Sequence, residues 1–158
     1  MEGSRLLAAV AGALAIAASA APLAAARHGK LNATYTGRGS GSISGTSASG
    51  SASTSGRGSL VGESTFSGSA TGDASSPPCI HFTGRGAIRS AGGTINLASL
   101  PGASVCVATA SGESGSFTGK AKISGGTGKF AHARGTLVFS GSYEGHAVRI
   151  TLTGNVTY

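Results

Sequence analysis

Glu144-Gly145-His146-Ala147-Val148-Arg149-Ile150-Thr151-Leu152-Thr153-Gly154-Asn155-Val156-Thr157-Tyr158 is the stretch whose reading decides the fold class. Val148, Ile150, Leu152, Gly154, Val156 and Tyr158 share one parity, while Arg149, Thr151, Thr153, Asn155 and Thr157 share the other. Successive side chains of a strand point to opposite faces. The pattern therefore predicts a strand over His146–Tyr158 with one apolar face and one wet face, the signature of an antiparallel sheet. Glu144-Gly145 predicts the turn of a hairpin whose other arm is Thr136–Ser142.

Working outward, the same period recurs. Ile80, Phe82, Gly84, Gly86 and Ile88 alternate with His81, Thr83, Arg85 and Arg89. Phe117, Gly119, Ala121 and Ile123 alternate with Thr118, Lys120 and Lys122. Ala91-Gly92-Gly93 and Pro101-Gly102 punctuate the strands predicted over Thr94–Leu100 and Val105–Ala110. Many short strands at this spacing predict an all-β sandwich or barrel. Gly84, Gly86, Gly119 and Gly154 on the apolar faces favour a barrel, where strands bend and interior room is short. The expectation is an antiparallel up-and-down barrel of about eight strands. Its interior would be lined by Ile80, Phe82, Ile88, Phe117, Ile123, Val148, Ile150 and Leu152, with the glycines leaving room for a small apolar ligand.

Of 158 residues 28 are Gly, only 11% are charged, and the formal charge is +7. So few charges argue against a coiled coil or a charge-rich disordered chain. Gly37–Ser59 is almost entirely Gly, Ser, Thr and Ala, with Ile43 its only large apolar side chain. A flexible linker is one reading. The other is two thin strands, because Thr36-Gly37-Arg38-Gly39-Ser40 and Ser55-Gly56-Arg57-Gly58-Ser59 repeat the local pattern of Thr83-Gly84-Arg85-Gly86-Ala87. Asp73–Pro78 reads as a loop, since consecutive prolines cannot serve a ladder.

Residues 1–26 read as an export signal: Arg5, the apolar run Leu6–Ala18, then small-x-small sites favouring cleavage after Ala26 or Ala20. Residues 27–158 would then form a single exported domain that keeps every cation except Arg5. Cys79 and Cys106 are the only thiols. In an oxidising space a disulfide is expected, worth about 3–4 kcal/mol on the chain-entropy account.

Ser124-Gly125-Gly126-Thr127-Gly128-Lys129-Phe130-Ala131-His132-Ala133-Arg134-Gly135-Thr136 resembles the GGTGxF segment, followed by ARG, of the dirigent and allene oxide cyclase family. It is also similar to small secreted bacterial proteins carrying GGTGxFAxAxG. The resemblance continues through Leu137–Tyr158 and covers about the last third of the chain. It implies an eight-stranded barrel with an apolar cavity, often trimeric, and a dirigent-like or cyclase-like isomerase activity. Those activities depend on polar groups inside the barrel. The exported acids here, Glu63, Asp73, Glu113 and Glu144, fall on no apolar face.

The chemistry-bearing motifs are otherwise few. The nucleophile elbow G-x-S-x-G is absent, and Gly125–Phe130 departs from the phosphate-loop pattern. The four His are scattered without metal-ligand spacing, so neither a metal nor a cofactor is expected. Glu144 and His146 share parity beside a barrel mouth, with His132 in the glycine-rich loop, and are weak candidates for acid–base work. Solvated hairpin residues are the commoner outcome of such a pattern. Arg85, Arg89, Lys120, Lys122 and Arg149 occupy polar strand faces, and Arg38 and Arg57 could join them. This basic outer face suits an anionic cell-wall polymer. Scarce aromatics argue against sequence-specific nucleic acid. An outer-membrane barrel is a further alternative, because Tyr158 is a terminal aromatic on an alternating last strand.

Overall fold

The structure, a computed structural model, describes residues 25–158. The expected export signal, apart from its last two residues, lies outside them. Nine strands follow one another: β1 (His28–Ser44), β2 (Ser47–Gly58), β3 (Gly62–Asp73), β4 (Cys79–Ser90), β5 (Gly93–Ser99), β6 (Ser104–Val107), β7 (Ser114–Gly126), β8 (Arg134–Glu144) and β9 (Ala147–Thr157). A 3-10 turn, Gly128–Phe130, is the only helical element among the described residues.

Each strand pairs antiparallel with its neighbours, and β1 pairs with β9, so the sheet closes. It is an up-and-down barrel of eight staves, because β5 and β6 share one position. β5 pairs with Arg85–Ser90 of β4 and with the end of β7. β6 pairs with Cys79–His81 of β4 and with the start of β7. Pro101-Gly102 interrupts this stave in the middle. Its second half is only four residues long and ends at Val107, short of the Ala110 expected from the sequence. The Cys79–Cys106 disulfide staples it to β4 at a directly opposed register pair.

The segment 37–59 supplies most of β1 and β2, in register from Ala33↔Gly58 to Ser44↔Ser47. It is sheet rather than linker. Its inward positions are Gly and Ala apart from Thr54 and Ile43, and its outward positions are Ser and Arg.

The two ends of the barrel differ. One is sealed by Leu31, Tyr35, Ile88, Ile95, Leu137, Leu152 and Val156, all essentially inaccessible. Phe130 plugs it, with its ring 5.4 Å from that of Tyr158. The glycine-rich loop is fixed there by backbone bonds. Thr127 N–H donates to Thr94 O at 2.9 Å and Lys129 N–H to Gly92 O at 2.9 Å. Gly128 has φ +60, and a Cβ there would press on the Gly92 carbonyl at 2.5 Å, so this turn requires glycine. At the opposite, open end, inward Phe82, Phe117, Phe139, Tyr143 and Val148 are only half-buried.

Candidate functional site

All eight residues expected to line the interior do point inward, but they divide. Ile80, Ile88, Ile123, Ile150 and Leu152 are buried, while Phe82, Phe117 and Val148 lie at the open end. The room left by glycine is largely taken. The Phe139 ring occupies the place of a Gly119 side chain, 2.5 Å from where its Cβ would sit. Phe117 does the same at Gly141, and Phe66 at Gly86. Inward glycine here admits an aromatic ring and so fills the barrel rather than hollowing it.

The sequence pattern missed the inward polar groups. Tyr35 is wholly buried and its Oη lies 3.0 Å from Ser64 Oγ. Burial pushes the Tyr35 phenol above its ordinary value, and the Ser64 bond offsets part of this. Thr54 Oγ1 donates to Phe66 O at 3.1 Å. Every buried side-chain polar atom among the described residues has a partner. None of the described acids points inward; Glu63, Asp73, Glu113 and Glu144 are exposed.

The Glu144, His146 and His132 grouping does not assemble. Glu144 ends β8 and His146 follows Gly145 in the turn, both exposed at the open end. His146 Nδ1 lies 3.1 Å from the Gly39 carbonyl, so it ties the turn to β1. His132 is exposed beyond the other end of β8, an 11-residue strand that spans about 35 Å. The three side chains cannot act on one substrate.

The cations are outward and exposed, as their parity requires, but they do not form one face. Lys120 and Lys122 lie on β7, roughly opposite β2 and β3 around the barrel. Arg38 and Arg85 instead line an outer depression of about 710 Å³, and the register sets Arg149 and Arg89 at the two ends of the adjoining row. Arg38, Ser40, Ser51, Ser53, Ser67, Ser69 and Arg85 line it. It lies on the outside of the wall, because Phe66 covers Gly68 and Gly86 from within and takes no part in the lining. The register explains its shape. Arg149, Thr36, Ser55, Thr65 and Arg89 form one row across five strands. Arg38, Ser53, Ser67 and Ala87 form the next row, and Ser40, Ser51, Ser69 and Arg85 the third. Small hydroxyl residues thus lie between larger cationic ones.

Arg57 pairs with Glu63 at one border, the only salt bridge among the described residues. At the other border Asp73 accepts from Ser75 N–H at 2.9 Å, which lowers its carboxyl below the ordinary value. No acid stands between these borders. Arg89 Nη1 donates to Ser67 Oγ at 2.9 Å and so leans over the floor. This serine floor was out of reach of hydropathy patterning, since Gly and Ser alternate with almost no contrast.

Among the described residues no group of His, Cys, Asp and Glu could hold a metal ion. The chain matches no protein-family model and no curated protein. Among solved structures it is similar to one described as pyocyanin demethylase, at 16% identity and a TM-score of 0.49, over 80% of this chain and 99% of that one.

Proposed function

We propose that this protein is an exported, non-catalytic binding module that engages anionic polymer through the outer depression of β1–β4. One observation carries the reading: Arg38 and Arg85 line an acid-free serine floor, Arg89 leans over it and Arg149 flanks it, all without acidic partners among the described residues. Arginine stays charged at all relevant pH and offers a planar fork that matches carboxylate and phosphate. The disulfide suits an oxidising compartment and agrees with the export signal read in residues 1–26. The outer wall carries hydroxyls and cations where a lipid-facing barrel would carry an apolar band.

The test is retention of the protein on an anionic resin such as immobilised heparin. Wild type should be held at physiological salt and released as salt rises. A variant with Arg38, Arg85, Arg89 and Arg149 all changed to Ser should pass through. Equal retention of the two would overturn the reading.

A second reading rests on the half-buried Phe82, Phe117 and Val148 at the open end. They would take a small apolar ligand, and native mass spectrometry of the protein from its host would display it as an adduct, together with the subunit number. A cyclase or dirigent-like activity has less support. Its interior polar groups would have to be Tyr35, Thr54 and Ser64, which already bond one another or the backbone.

A further inference from the structure

Resting on the outer-face reading, we infer that the ligand is an acidic polysaccharide lying across the strands, its anionic groups held by Arg38 and Arg149 on one side and by Arg85 and Arg89 on the other. Adjacent strands lie about 4.8 Å apart. Counted around the curved wall, Arg38 and the β4 arginines are separated by three strand spacings, or about 14 Å of arc, and Arg149 and Arg89 by four of the eight staves, or about 19 Å of arc. No single carboxylate or sulfate bridges such a gap. An extended chain with anionic groups at intervals does.

The floor between the arginine pairs selects the rest of the ligand. Ser40, Ser51, Ser53, Ser67 and Ser69 each carry a hydroxyl that can donate and accept, which suits the hydroxyls of a sugar chain. Nothing larger than Thr rises between the two pairs in these rows, so an extended chain can follow the curve of the wall. Nucleic acid fits less well. Single-strand binding draws on aromatic stacking, and the aromatics of β1, β3 and β4, Tyr35, Phe66 and Phe82, all face inward.

The experiment titrates the exported chain with oligogalacturonates from the disaccharide upward, with heparin oligosaccharides, with fully methyl-esterified galacturonan and with oligo-dT of matched charge. Affinity should rise with length until the ligand spans both arginine pairs, and then level off. Carboxylated and sulfated chains should both bind, and the esterified chain should not. R38S/R149S and R85S/R89S should each weaken the long ligand at least tenfold and abolish the dependence on length. K120S/K122S, on the far side, should change it less than twofold.

Length-independent binding, or full affinity in either double variant, would overturn the bridging inference. If the quadruple arginine variant still lost binding in that case, the outer-face reading would stand. Undiminished binding by the quadruple variant would remove both. Preference for oligo-dT over polysaccharide would assign the face to nucleic acid and overturn the inference.

Discussion

Tyr35 is the largest side chain held wholly inside the barrel, and its ionisation is coupled to folding. Its phenol keeps its proton in the folded chain above pH 10.0, the ordinary value at which the unfolded phenol titrates. The corresponding stability is complete below that pH and is lost as pH rises toward and through the raised folded value. Tyr35→Phe should therefore flatten the alkaline limb of a stability–pH curve, at a cost of about 1 kcal/mol near neutrality for the lost hydrogen bond. Urea unfolding at a series of pH values would test both parts. Gly141 makes a second case. A Cβ there would collide with the Phe117 ring and the Arg149 carbonyl, so Gly141→Ala should cost about 1–3 kcal/mol. Gly50→Ala, whose Cβ would meet nothing nearer than Ser40 O at 3.4 Å, should leave the melting temperature almost unchanged.

Among the elements, the divided stave is the weak point. β6 has four residues, a Pro-Gly interruption before it and a loop after it, so its pairing contributes little cooperative strength. The disulfide compensates. Cys79→Ser with Cys106→Ser should destabilise the barrel by about 2–4 kcal/mol. Amide exchange should quicken first in Ser104–Val107, and uniform exchange along the barrel would contradict this.

How well each element can be read from sequence follows from side-chain contrast. β4, β7 and β9 carry large apolar groups on one parity, and the alternation expected for them holds position by position. From Gly37 onward β1 and β2 alternate mostly Gly and Ala with Ser, a contrast of little more than one hydroxyl. There only the repeated Gly-Arg-Gly pattern signalled sheet. The bulge at Ser124, which shifts the β5–β7 register between Asn96 and Leu97, had no hydropathy signal at all. Neither did the assembly of the arginine frame, since register between distant strands decides which cations meet.

On the scale of the whole molecule, the barrel has one sealed end, one open end and two unlike sides. β7 carries Lys120 and Lys122, while β1–β4 and β9 carry arginine around hydroxyls. Because the depression is framed by arginine and lined by no histidine, anion binding should stay flat between about pH 5 and pH 9. Isothermal titration at several pH values would check this. A bell-shaped or falling profile would contradict arginine as the anion-holding group.

The sealed end also holds both ends of the described chain. Arg27 N–H donates to Tyr158 O at 2.7 Å, and Tyr158 N–H donates to Arg27 O at 2.8 Å. The staves therefore form a ring in which the place of first and last is an accident of connectivity. Joining Arg27 to Tyr158 through a short flexible linker and reopening the backbone between Ser111 and Gly112 should give a circular permutant with the same wall, the same disulfide and the same arginine frame. Such a chain would begin and end at the open end.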